Sequence, residues 1–119
     1  MAGEFLEDHD PKTEHCWIAE RNGEILGSIF LVRKSSETAQ LRLLYVEPTA
    51  RGQGVGRKLI EECLGFARHN KYKTVTLWTN SILKPAIHLY EEAGFKLVDE
   101  EPHHSFGQDL VGQNWDLAL

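Results

Sequence analysis

Apolar and polar positions along the chain change period several times, and each change marks an expected element. Residues 16–21 and 24–33 are rich in β-formers and flank Asn22-Gly23, the dipeptide best suited to a two-residue hairpin, so these segments are expected to pair antiparallel. Residues 39–46 are apolar at nearly every position, which predicts a central strand covered on both faces. Pro48 ends it, because proline cannot donate to a ladder. From Val55 to His69, the positions Leu59, Ile60, Cys63, Leu64, Phe66 and Ala67 recur at spacings of three and four, the stripe of an amphipathic helix lying on a sheet. Residues 74–79 return to strand-forming types. Strand, helix and strand in this order predict a right-handed parallel crossover from residues 41–46 to 74–79. Pro85 suits the first turn of a second helix running to Glu92, and Gly94 suits a left-handed stop after it. Residues 95–99 and 114–119 read as closing strands, separated by a long segment containing His103-His104-Ser105-Phe106-Gly107. The order β-β-β-α-β-α-β-β, without a linker or repeat, predicts an α/β (α+β) fold of one domain over residues 1–119, with residues 1–13 as an acidic N-terminal segment.

Composition narrows the class. A chain of 119 residues can bury about two-thirds of its unfolded surface, and apolar and charged fractions of 41% and 26% are those of ordinary globular proteins. No apolar run approaches the roughly 18 residues of a membrane-spanning helix. The acidic first residues lack the basic and apolar regions of a secretory signal, so a cytoplasmic location is expected. Two cysteines, Cys16 and Cys63, are too few for a disulfide framework and read as core thiols of a reduced compartment. The net charge of −5 opposes sequence-independent binding to nucleic acid. Arg51, Arg57 and Lys58 nonetheless cluster, a local balance that fits a small phosphorylated ligand.

That cluster lies in Tyr45-Val46-Glu47-Pro48-Thr49-Ala50-Arg51-Gly52-Gln53-Gly54-Val55-Gly56-Arg57, where a strand gives way to a glycine-rich loop and then a helix. Such an order aims free backbone N–H groups and the positive end of a helix at one spot, an anion site. A Walker A loop would end in Gly-Lys-Ser/Thr, whereas Gly56 is followed by Arg57, Lys58 and Leu59. A dinucleotide fingerprint needs G-x-G-x-x-G and a later acidic residue, whereas Gly52, Gly54 and Gly56 run as G-x-G-x-G and residues 74–79 carry no carboxylate.

What remains, Arg51-x-x-Gly54-x-Gly56 after Val46-x-Pro48, resembles the Q/R-x-x-G-x-G/A pyrophosphate signature of the GNAT N-acetyltransferases. Downstream, the segment His88-Leu89-Tyr90-Glu91-Glu92-Ala93-Gly94-Phe95 resembles the L-Y-x-x-x-G-F box of the same family. The resemblance implies a mixed, mostly antiparallel sheet with a central parallel pair of strands and two packed helices. It also implies acetyl-CoA-dependent transfer of an acetyl group to a primary amine by direct attack in a ternary complex. Leu44, Tyr45 and Val46 would then border pantetheine on a splayed strand end, with a backbone N–H near Val46 facing the acetyl carbonyl. Arg51, Gly52, Gln53, Gly54, Val55, Gly56 and Arg57 would hold the pyrophosphate. Tyr90 stands at the family's general-acid position. Glu47 is a candidate base, with His103 and His104 as others; no metal site is expected, because the histidines lack further ligands at metal spacing. Asn80 is a candidate contact to pantetheine, although alignment on Ala86 and Tyr90 puts Leu83 where the family usually has asparagine.

The family usually begins with a strand and one or two helices that wall the acceptor side, and only about 13 residues precede the first expected strand here. Either the chain is a piece of a longer protein, or another segment or subunit supplies that wall. The closing region, residues 101–116, also resembles the acetyltransferase domain fused behind MarR-type regulators. A catalytically silent acyl-CoA sensor module of a transcriptional regulator is therefore a second reading, and a plain interaction domain a third. An open sheet edge at residues 16–21 would invite a homodimer or strand exchange, because uncovered edges pair.

Overall fold

The computed structural model describes residues 4–7, 14–105 and 107–119. The strands are β1 (Glu4–Glu7), β2 (Glu14–Arg21), β3 (Glu24–Arg33), β4 (Thr38–Val46), β5 (Thr74–Asn80), β6 (Lys96–Ser105) and β7 (Gln108–Ala118), and the helices are α1 (Val55–His69) and α2 (Lys84–Ala93). A single 3-10 turn, Pro48–Ala50, links β4 to the glycine loop. Among the described residues the seven strands form one sheet in the order β1-β2-β3-β4-β5-β7-β6, in which β4 and β5 run parallel and the other neighbours antiparallel.

Local chemistry explains the elements. Asn22 and Gly23 take φ of 52° and 80°, the left-handed pair that matches hairpin twist, and β2 pairs with β3 across them. α1 buries Val55, Leu59, Ile60, Cys63, Leu64 and Ala67 against the sheet. α2 begins with Pro85 in its first turn and stops at Gly94, φ 104°. Both helices lie on one face, since a Cβ added at Gly56 of α1 would stand 2.7 Å from Leu89 Cδ1 of α2. Ile29, Leu31, Leu41, Val75, Leu77 and Trp115 complete the core beneath them.

Four expectations need correction. β4 is not covered on both faces throughout: Leu41 is buried, while Leu43 and Tyr45 are exposed, so its apolar run does not mean two covered faces. The parallel pairing lies earlier than residues 41–46, at Thr38, Ala39 and Gln40 against Thr74, Val75 and Thr76. The segment around His103 is no long connection but part of a hairpin of two long strands, β6 and β7, with Gly107 at φ 73° ahead of β7. Pro102 and the carboxylates at 99–101 hid it; β6 is the outermost strand, where proline and charge are tolerated. Finally, β1 covers the edge expected to be open at residues 16–21, pairing Phe5 with Ala19 and Leu6 with Ile18.

Candidate active site

The site begins where β4 and β5 part. Among the described residues their ladder ends at Gln40 and Thr76. Beyond it, β4 is bulged: Ser28 faces Tyr45 while Phe30 faces Arg42, so β4 carries one extra residue over that interval. Leu43 absorbs the bulge at φ 56°, a left-handed conformation costing a non-glycine residue roughly 1–2 kcal/mol. β5 continues straight, paired with β7 as far as Asn80 opposite Gly112. The result is a notch whose lips expose backbone groups of residues 41–46 and 77–80 that have no ladder partner across it among the described residues. Gly27 lets β3 approach the bulged strand, because a Cβ there would lie 2.5 Å from the Tyr45 carbonyl oxygen.

Both helices start at the same end of the notch, each just past the C-terminal end of a parallel strand, where open α/β sheets bind ligands. Gly52 and Gly54 take φ of 82° and 79° and turn the chain into α1, with open space where a Cβ would be. The first helical bond runs from the Lys58 N–H to the Gly54 carbonyl at 3.0 Å. The N–H groups of Val55, Gly56 and Arg57 therefore have no backbone acceptor among the described residues, and no side chain caps the helix. That is an anion cradle made by the backbone. Arg51 and Lys58 stand exposed beside it.

The structure sorts the remaining candidates. Val46 packs on the core side, 3.4 Å from the place of a Gly56 Cβ, and Leu44 leans on the same core. The missing side chain of Gly56 serves the contact between helices rather than a left-handed turn, since Gly56 is helical and its Cβ position faces Leu89 of α2. Gln53 is tied on both ends of its amide, donating to the Thr49 carbonyl at 3.2 Å and accepting from Arg21 Nη1 at 3.1 Å. Arg21, from the β2–β3 hairpin, is a loop neighbour that sequence reading missed, since only the folded sheet brings positions 21 and 53 together. Arg57 is paired with Glu92 of α2 at 2.9 Å, which leaves Arg51 as the less committed cation of the expected pair. Lost hydration first, then the Glu47 carboxylate nearby, raise the Tyr45 phenol above its ordinary range, with Arg51 opposing. Asn80 Oδ1 lies 3.1 Å from His103 Nε2, so it meets the β6–β7 hairpin rather than standing free in the notch.

Tyr90 is 6% exposed and meets Phe95 edge-on at 6.0 Å, with no hydrogen bond to its hydroxyl among the described residues. Burial pushes its phenol up to about 12, so it keeps its proton throughout the neutral range. Cys63 is likewise pushed to about 12 by burial, which makes it an inert core thiol. Cys16 is buried too. No described helix is long and apolar enough to cross a membrane.

Comparison with known proteins gives this geometry a family. The model of the acetyltransferase (GNAT) family matches residues 2–95. The chain belongs to the GNAT family. Among curated relatives, the uncharacterised N-acetyltransferase YjgM of Escherichia coli is 35% identical over 86 residues, 70% of this chain and 52% of YjgM. The N-acetylaspartate synthetase of Xenopus tropicalis is 34% identical over 90 residues, 74% of this chain and 33% of that protein. The chain thus spans about half, or less, of the length of these relatives. In three dimensions it is similar to yncA from Salmonella typhimurium, solved with its cofactor acetyl-CoA: TM-score 0.80, 25% identity, 89% of this chain and 65% of that one. A GNAT acetyltransferase from Elizabethkingia anophelis with acetyl-CoA bound shares the fold at a TM-score of 0.77 and 22% identity, covering 90% of this chain and 77% of that one.

Proposed function

We propose that this chain is the catalytic core of an acetyl-CoA-dependent N-acetyltransferase that moves an acetyl group directly to a primary amine. The observation that carries this reading is the parting of β4 from β5 immediately ahead of a left-handed glycine loop and an uncapped helix start. The residues present fit acetyl-CoA: a backbone cradle at Gly52–Gly54 and the α1 start for the pyrophosphate, Arg51 beside it, and unpaired strand groups at Leu44, Tyr45 and Val46 for an amide-bearing arm. When bound, the thioester supplies an acyl carbon with a leaving sulfur.

On this reading the chain's own groups divide the work. The notch-side backbone of β4 orients the carbonyl and donates to its oxygen; one such donor is typically worth about 2.7–4 kcal/mol. Glu47, near the notch on the exposed lip, takes the proton that the attacking amine sheds as the new C–N bond forms and the C–S bond breaks. Tyr90 donates a hydrogen bond to the departing sulfur. Outright proton transfer from a phenol near 12 to a thiolate near ~8.5 is uphill by about 5 kcal/mol, so solvent supplies the sulfur's final proton. A cytoplasmic location and a homodimer belong to the same reading, but with β1 on the expected edge a dimer would have to form elsewhere.

Calorimetric titration with acetyl-CoA tests the reading. We expect binding in the wild type that is lost in an Arg51→Ala, Gly54→Val double variant. No binding to the folded wild type would overturn it. Binding without transfer to any amine would favour the acyl-CoA sensor of a MarR-type regulator.

A further inference from the structure

We infer that the sheet face turned away from both helices is the acceptor surface, and that it selects an amine carrying a second positive charge on an apolar stem. This deepens the acyl-transfer reading and rests on it. Alternate residues of a strand point to opposite faces: Val46 and Leu77 lie in or against the core under the helices, so Tyr45 and Trp78 point the other way, one from each lip of the notch. Both are open, at 47% and 52%. Exposed aromatics at a cleft mark a place that a ligand covers.

Trp78 is open yet held. Its indole lies over Gly112, where a Cβ would stand 2.7 Å from Cζ2, and the His103 ring is 6.0 Å from it. His103 is itself fixed by Asn80 at 3.1 Å. A fixed aromatic plate suits an aliphatic stem or a cation over its face. Register places carboxylates beside the plate: Trp78, Asn114 and Asp99 form one cross-strand row, and Asn80, Gly112 and Glu101 the next. Glu47 and Tyr45 stand on the opposite lip. Among the described strand residues the cations on this face are Arg42, opposite Phe30, and Lys96, at the far end opposite Asp116, while Arg51 acts on Tyr45 at the other lip, away from Trp78. Around Trp78 the balance is therefore negative. The reacting nitrogen must shed its proton, and with it its charge, before it can attack. Carboxylates on the rim can then grip only a charge carried elsewhere on the acceptor, which is why a second cationic group follows.

The test uses the exposed indole as reporter, because Trp17 and Trp115 are buried. Tryptophan emission of the whole chain is titrated at low salt with 1,5-diaminopentane, pentylamine and L-aspartate, and acetyl-CoA is titrated calorimetrically into the same sample. We expect saturable quenching with the diamine binding at least tenfold more tightly than pentylamine and no response to aspartate. An exposed Asp99→Asn, Glu101→Gln variant should erase the diamine's advantage, and Trp78→Phe should erase the signal. Equal affinity for the two amines, or tighter aspartate binding, overturns the proposal while leaving the transfer reading to stand on acetyl-CoA binding. Diamine binding without acetyl-CoA binding overturns the assignment of this surface to an acceptor and the transfer reading together.

Discussion

The two sides of the notch are made of different materials. On the helix side the ligand-facing groups are backbone: the uncapped N–H groups at the start of α1 and the left-handed turns of Gly52 and Gly54. On the other side the exposed groups of the proposed acceptor surface are side chains, Tyr45 at the end of β4, Glu47 just beyond it and Trp78 on β5, with Asn80 and His103 of β5 and β6 bracing the indole. The first kind of site can be shared by relatives that differ widely in sequence, because any residue but proline supplies an N–H. The second changes with every substitution, which suits a constant cosubstrate on one side and a variable acceptor on the other.

The most direct way to break this arrangement is to close the space that lets β3 follow the bulge. Gly27→Ala puts a methyl 2.5 Å from the Tyr45 carbonyl oxygen, against backbone that cannot yield cheaply. We expect a loss of about 3 kcal/mol, read as a lower urea midpoint. Wild-type stability would mean that the close approach of the two strands is unimportant.

Both sides carry a phenol that titrates late, but the exposed Tyr45 is screened by water and the buried Tyr90 is not, so alkali should act chiefly on the helix side. Tyr90, buried on the helix side, has a folded value near 12 against 10 unfolded, so its contribution is fully present below pH 10 and is lost as pH rises through 12. Two units amount to about 2.7 kcal/mol. Cys63 acts in the same direction. Tyr90→Phe should therefore flatten the fall in stability between pH 9 and 11.5. An unchanged slope would place the titration elsewhere.

Much of the helix side was legible in the sequence. α1 was predicted with its observed limits, because one stripe of apolar residues and one glycine loop are local signals. So was the Asn22-Gly23 turn. What failed needed non-local knowledge. The run at 39–46 reads as doubly buried because hydrophobicity does not distinguish a core from the lip of a ligand notch. The closing pair was legible at its open end, 95–99 with 114–119, but its continuation through 100–113 was hidden by Pro102 and its acidic neighbours, which are signs of an edge strand only once the edge is known. β1 is only four residues, two of them glutamate, too short for a periodic signal. Gly56 reads as the third glycine of a phosphate loop; its N–H does lie at the uncapped helix start, but its missing side chain also makes room for α2, a role visible only with Leu89 beside it.

Gly54→Val sharpens the comparison further, since it touches the backbone side alone. Its Cβ would meet nothing, so the cost is only that of a left-handed φ for a branched residue, about 1–2 kcal/mol, and the fold should persist. Acetyl-CoA affinity should fall at least about tenfold, equivalent to ~1.4 kcal/mol, while diamine quenching of Trp78 is untouched. Loss of both would mean that the two sides are not independent.

The smallest effect is expected at the clip between hairpin and loop. Arg21 donates through Nη1 to Gln53, but its Nε is buried without a partner among the described residues. Arg21→Ala removes one exposed hydrogen bond, worth about 0.5–1.5 kcal/mol, and also removes a buried orphan donor whose desolvation works against the fold. The two terms oppose, so stability should move by less than about 1 kcal/mol in either direction. Loop order is a different matter, because Gln53 then holds only to Thr49. The KM for acetyl-CoA should rise about threefold with kcat unchanged, and Gln53→Ala added to Arg21→Ala should raise it no further, since both cut the same link. Additive effects of the two substitutions would show that Arg21 acts on the ligand itself rather than through the loop.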